Sequence, residues 1–155
     1  MKDNEYYMNI AIREARISLA DSNPPVGAVL VKSKKVIGKG RNITFLKNND
    51  LKHAEIVALF DSIERYGQEA TKGATLFTTL APCPMCLWAS VIMGVKKIVI
   101  GCNHDSREDS ESFGSYTVNK LLEMMDKKIQ IELDILESEC ADLWNNWLHK
   151  DRINK

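Results

Sequence analysis

The chain has 155 residues, a length that suits one domain able to bury a real core. Its 45% apolar and 27% charged residues are ordinary for a globular protein, and no apolar run is long enough to span a membrane. The 21 basic and 21 acidic residues cancel, so the overall basic excess common in proteins that grip a polyanion is missing, although a local patch is not excluded.

The first residues, Met1-Lys2-Asp3-Asn4-Glu5, are polar and acidic with no apolar segment behind them. No secretory leader is expected, and the protein reads as cytoplasmic. Residues 5–20 predict a helix, with Met8, Ala11, Ile12, Ala15 and Leu19 on one face and Asn23-Pro24-Pro25 ending it. Val26 to Val31 and Val36 to Gly40 are two short apolar runs around the polar turn Lys32-Ser33-Lys34-Lys35, which predicts a β-hairpin. Residues 42–52 read as a loop. His53 to Arg65 suits a helix stopped by Gly67. Ala74 to Thr79 is a strand candidate, and Pro84 opens a helix running to about Met93 before Gly94. Lys97 to Gly101 reads as a strand and the polar segment 102–114 as a long loop. A helix over about 116–125, a strand over 129–135 and a helix over about 138–150 complete the order αββαβαβαβα, which argues a layered α/β fold. There is no internal repeat or linker, and residues 1–155 are expected to form a single domain.

Two short motifs carry chemistry. They are His53-Ala54-Glu55 and Pro82-Cys83-Pro84-Met85-Cys86. Together they offer one imidazole, two thiols and a carboxyl group not needed as a ligand. Catalytic zinc sites commonly take three protein ligands and leave the fourth position to water. Cys83 and Cys86 are three residues apart at a helix start, which puts both sulfurs near one face, where the helix dipole favours thiolates. Glu55, two residues past the histidine, could carry protons for that water. The expected cofactor is one Zn²⁺ per chain, bound by His53, Cys83 and Cys86. A lone C-x-x-C could be redox-active, but no thioredoxin-like context surrounds it. A structural zinc site normally closes with four ligands, and no second pair exists to close this one. Cys102 and Cys140 lie outside the motif; they could pair, but intracellular thiols are the simpler reading.

The pattern H-x-E followed by P-C-x-x-C is a known signature of zinc nucleobase deaminases. The stretch from about Pro25 to Gly101 resembles the cytidine deaminase-like superfamily. The resemblance is carried by Val26-Gly27-Ala28, Gly38-Lys39-Gly40-Arg41-Asn42, His53-Ala54-Glu55 and Thr78-Thr79-Leu80-Ala81-Pro82-Cys83-Pro84-Met85-Cys86. It covers about half the chain. Within the superfamily it is similar to free-base deaminases, for cytosine and guanine, and to bacterial tRNA-specific adenosine deaminases. It implies a three-layer fold with a central five-stranded mixed sheet and helices on both faces. It also implies hydrolytic deamination: attack on an amidine-like ring carbon, then loss of ammonia.

The same resemblance suggests pocket residues. Asn42 occupies the place of an Asn that binds substrate in the superfamily, although it could simply bond its own loop. Phe45, in Asn42-Ile43-Thr44-Phe45, resembles the cytosine deaminase version of this loop and could stack on a base. Gly27 and Ala28 would let a flat ring approach the first strand, and Ala81 is counted with them. His104 begins the long loop and could shape the pocket mouth, and a similar His-containing loop occurs in guanine deaminases, although a solvated loop suits it equally. Trp144 and Trp147 lie on the last helix, which contributes to covering the site in free-base deaminases, but at i and i+3 they equally suit core or interface.

The leading expectation is a zinc-dependent aminohydrolase acting on a small heterocycle, with cytosine or guanine first. Asp105, Glu108, Asp109 and Glu111 against Arg107 alone would make a polyanion unwelcome near the mouth. The alternative is a tRNA-specific adenosine deaminase, supported by Pro25 to Val31, His53 to Ile56 and Leu136-Glu137-Ser138-Glu139-Cys140. A zinc-stabilised interaction module is the non-enzyme alternative, and an intact Glu55 argues against it. A homodimer is expected, because Leu87, Trp88, Val91, Ile92 and Met93 give the helix after Pro84 more apolar surface than one sheet face needs. No membrane association is expected.

Overall fold

The computed structural model describes residues 2–110 and 114–153. Its elements in chain order are α1 (Lys2–Ala20), β1 (Gly27–Lys32), β2 (Lys35–Arg41), α2 (Thr44–Lys47), α3 (Ala54–Tyr66), β3 (Thr75–Leu80), α4 (Pro84–Ile92), β4 (Lys97–Cys102), α5 (Val118–Met124), β5 (Gln130–Glu132) and α6 (Glu137–Ile153). The strands form one five-stranded sheet in the order β2-β1-β3-β4-β5. β1 pairs antiparallel with β2 and β3, while β3–β4 and β4–β5 are parallel, so the sheet is mixed. The parallel half follows from the connections: a helix must carry the chain back between two parallel strands, and α4 and α5 do so. No helix among the described residues is long and apolar enough to cross a membrane.

Alternation along the strands assigns the helices to faces. Gly27 has no side chain where α1 crosses; a Cβ there would stand 2.0 Å from the Ala11 carbonyl oxygen. One residue on, Ala28 points to the other face with its partner Gly40, and a Cβ on Gly40 would stand 2.1 Å from the Ala54 carbonyl oxygen of α3. Gly101 likewise makes room for Cys140 of α6, on the α1 side. Helices therefore cover both faces. The sheet centre between them is fully buried at Val29, Leu30, Leu76, Ile98, Val99 and Ile100. Each such side chain contributes roughly 1.5–3 kcal/mol by leaving water.

The close seat of α3 has a measurable consequence, since α3 begins beside His53. Gly40→Ala forces the helix backbone away, an overpacking cost of about 1–3 kcal/mol. At this chain length that is a fall in Tm of about 2–12 °C. Thermal unfolding should record that fall, with weaker zinc retention; an unchanged Tm would mean that α3 does not depend on this approach.

Several boundaries differ from the sequence reading. α1 starts earlier, at Lys2, and β5 has three residues where seven were expected. The supposed loop 42–52 contains the single turn α2, and a 3₁₀ turn at His104–Ser106 begins the long loop. The turn α2 is tertiary in origin: Asn23 Oδ1 accepts from the Phe45 and Leu46 amides, and Asn42 Oδ1 accepts from the Thr44 amide.

Candidate active site

His53 and Cys83 occupy equivalent places at the N-caps of α3 and α4, both in extended backbone conformation. Pro84 stands at the first helical position, where its missing N–H costs nothing. The two helix N-termini therefore meet over the end of β3 and present three donor atoms. His53 Nδ1 lies 3.6 Å from Cys83 Sγ and 3.5 Å from Cys86 Sγ. All three ligand atoms fall within 4.8 Å of one another. Tetrahedral zinc with Zn–S near 2.3 Å and Zn–N near 2.0–2.1 Å requires S···N separations of about 3.6 Å. The residues present thus fit a zinc ion with three protein ligands.

The thiols are electrically unequal when metal-free. Cys83 is pulled down to about 4, first by the hydrogen bond from the Cys86 thiol, against the effect of burial and with help from His53. Cys86, which donates that bond and is buried, is pushed up. The His53 imidazole is raised, first by its hydrogen bond with Cys83.

Glu55 follows on α3 and is 3% exposed. Its Oε1 accepts a hydrogen bond from Thr78 Oγ1 at 3.1 Å. Burial, followed by the negative Cys83, raises its pKa above the ordinary glutamate value. The same hydroxyl lies 3.0 Å from the Leu80 carbonyl, so its one proton is shared between the exit of β3 and the carboxyl group.

A cavity of about 340 Å³ opens onto this group. Its lining includes His53, Glu55, Cys83, Asn42, Ala81 and Val26, joined by Arg107, Trp144 and Trp147. Of the expected pocket residues, the structure brings Asn42 and Ala81 here. Asn42 is buried, and its Oδ1 accepts from both the amide (3.0 Å) and the hydroxyl (2.8 Å) of Thr44, so it lines the cavity and also braces its own loop.

Four others stand elsewhere. Phe45 is 62% exposed on α2 and does not line the cavity. Gly27 serves the packing of α1, and Ala28 is buried on the α3 side of the sheet; neither lines the cavity. His104 is buried beside Tyr116, with ring centroids 5.1 Å apart and its Nε2 bonded to the Gly114 carbonyl, and it lines a separate depression.

The charges of the long loop do not all meet solvent, although Asp105 is exposed. Arg107 and Asp109 turn inward as a buried pair, and Glu108 faces His149 at 2.8 Å. Glu111 lies outside the described residues. Thr78, Arg107 and Asp109 were not singled out as site residues by sequence reasoning; Thr78 had a signal, since period-two alternation puts it on the face of Ala28 and Gly40 beneath α3. Cys102 and Cys140 are free and buried, and burial pushes each thiol up to about 12.

Residues 1–102 match the profile of the cytidine and deoxycytidylate deaminase zinc-binding region. The chain belongs to this family. It is a zinc-dependent hydrolytic deaminase, which removes the reading as a purely structural zinc module. The deaminase is 31% identical over 157 residues to the tRNA-specific adenosine deaminase of Bacillus subtilis (strain 168), covering 100% of this chain and 94% of that one. It superposes with a TM-score of 0.77 and 29% identity on a structure from a study of A-to-I editing by tRNA:A34 deaminases at the wobble position of transfer RNA, covering 89% of this chain and 98% of that one. A guanine deaminase from Nitrosomonas europaea shares the fold, with a TM-score of 0.77 at 20% identity over 92% of this chain and 83% of that one.

Proposed function

We propose that this deaminase converts adenosine to inosine within a transfer RNA, with His53, Cys83 and Cys86 holding one zinc and Glu55 moving the protons. The observation that carries the substrate is end-to-end likeness: the Bacillus subtilis tRNA-specific adenosine deaminase aligns with the whole of this chain, not only with its metal motifs. The sequence reading put a small heterocycle first, largely on the charges of the long loop. Two of those acids have partners, Asp109 with Arg107 and Glu108 with His149, while Asp105 stays exposed; the loop remains acidic, and the end-to-end likeness outweighs that objection.

Zinc, when bound, lowers the pKa of a coordinated water from 15.7 to about 7 and so supplies hydroxide at neutral pH. Glu55 does the rest of the proton work. With its pKa raised by burial, it can accept the water proton and pass it to the ring nitrogen, then take the proton of the newly added hydroxyl and deliver it to the leaving amine as the C–N bond breaks. The Thr78 hydroxyl fixes one carboxyl oxygen and leaves the other for these transfers. Asn42 has its oxygen committed to Thr44, so its amide NH₂ is the group offered to the substrate. Ala81 and Val26 keep that part of the wall small.

A second reading, a free base or nucleoside of the cytosine or guanine type, is favoured by one observation. Two indoles from α6, Trp144 and Trp147, line a cavity of about 340 Å³. That size lies within the usual span for small-molecule sites, about 300–1,000 Å³.

The assay that separates the two offers the zinc-loaded protein an anticodon stem-loop with adenosine at the wobble position, beside a panel of free bases and nucleosides. Inosine in the stem-loop supports the first reading. Ammonia from a free base or nucleoside, with the RNA untouched, replaces it with the second.

The assembly proposed is a homodimer through α3 and α4. Leu87 is fully buried, but Trp88 and Ile92 on α4 are 43% and 61% exposed, and Phe60 on α3 is 53% exposed. Ile56, Phe60, Ile63, Ala89, Ile92 and Met93 line an apolar hollow between the two helices. Grouped apolar surface of this kind marks association sites. Light scattering at micromolar concentration should give twice the 17.5 kDa chain mass; a purely monomeric species would contradict the assembly.

A further inference from the structure

One part of the cavity wall is built on a buried ion pair. Arg107, Asp109 and Trp144 are 5%, 8% and 7% exposed. Arg107 donates from Nε to Asp109 Oδ1 and from Nη2 to Oδ2, each at 3.1 Å. Trp144 donates from Nε1 to the same Oδ1 at 2.8 Å. The guanidinium lies over the Trp144 ring, 4.6 Å from its centroid, and Trp147 packs against Trp144 with centroids 5.0 Å apart. Arg107, Trp144 and Trp147 line the cavity, whereas Asp109 does not.

One carboxylate thus holds two cavity-lining planes that come from different elements, the loop after β4 and helix α6. The surroundings repeat the join: Asn145 of α6 accepts from the Glu108 amide and donates to the Ser106 carbonyl, and Ser106 bonds Glu137. Taking an ion pair out of water is costly, and apolar side chains of like volume often serve stability as well or better. What such residues could not provide is orientation. A two-pronged Arg–carboxylate contact fixes the guanidinium plane, and a hydrogen bond to Nε1 fixes the rotation of an indole.

We infer that Asp109 is a positioning residue for substrate recognition, holding Arg107 and Trp144 as one rigid wall against which the flat ring of the substrate is seated. The inference rests on the reading that this cavity takes the substrate, but not on whether that substrate is RNA or a free base. Asp109 acts through the two groups it holds and touches no reacting atom, so its loss weakens binding rather than chemistry.

Two variants test this. Asp109→Asn keeps the shape but leaves Arg107 as a buried charge without its carboxylate, which can impair folding. The double change Arg107→Met with Asp109→Asn removes both charges at similar volume and avoids that cost. Kinetics use whichever member of the RNA, base and nucleoside panel the wild-type protein turns over, so failure of the RNA reading leaves this test intact. Zinc content and circular dichroism accompany each measurement. The expected result for the folded, zinc-loaded double variant is a rise in KM of about tenfold, the scale of losing one oriented cation–aromatic contact, with kcat within about threefold of wild type. An unchanged KM, or a fall in kcat at constant KM, overturns the proposal. If Asp109→Asn also folds, it should reproduce the rise in KM, and a wild-type KM in that variant would overturn it equally.

Discussion

Glu55→Gln should keep zinc and fold but lose turnover by at least about 10²-fold, the low end for general acid–base catalysis. The exchange is nearly isosteric. The amide still offers an oxygen to Thr78 Oγ1, so the hydrogen bond that seats Glu55 survives. The carboxyl it replaces is buried, and burial is the main cause of its raised pKa. Only the titrating group disappears. Ammonia release, with zinc measured on the same sample, reads the result. Near-normal turnover in the zinc-loaded variant would show that protons travel by another route.

Cys83→Ala should have the other large effect. It removes one of three donors, and no side-chain cap bond of α4 is lost with it. With only His53 and Cys86 left, affinity should fall by more than the roughly 10–100-fold that losing an outer-shell partner costs. Metal analysis after dialysis should find the variant largely free of zinc, and deamination should be at background. Full zinc retention would overturn the ligand assignment.

These two predictions use residues that the chain declares openly. His53, Glu55, Cys83 and Cys86 are legible because a metal centre needs particular atoms at particular spacings, and that need survives in two short motifs. The sheet is legible for a related reason. Strands buried on both faces must be apolar throughout, as in Ala28-Val29-Leu30-Val31 and Ile98-Val99-Ile100. Helix ends were marked by Pro84, Gly67 and Gly94.

What escaped the sequence reading depends on which way a residue faces. Gly27 looked like a place for a ring to approach, and Gly40 was only part of a family motif. They are where α1 and α3 press onto opposite faces of the sheet, a fact that needs the third layer to be in place. The charges of the long loop were counted as if all of them met solvent. Arg107 and Asp109 lie under α6, and no local pattern says that Trp144, thirty-five residues beyond Asp109, will bond the same carboxylate. The turn α2 is too short to show a period, and side chains of Asn23 and Asn42 hold its first amides. His104 carried a plausible chemistry by type alone, but its ring packs on Tyr116 and bonds the Gly114 carbonyl.

The central claim is an open zinc centre at the meeting of two helix N-termini, with Glu55 beside it and not bound to it. Zinc-edge X-ray absorption on the purified wild-type protein, paired with a zinc-to-chain ratio, tests this most directly. The account predicts one zinc per chain with two sulfur ligands near 2.3 Å, one imidazole nitrogen near 2.0–2.1 Å, and a fourth light-atom ligand, unchanged in Glu55→Gln. A third sulfur in the shell, a light-atom ligand that disappears in Glu55→Gln, or a ratio near zero would contradict it.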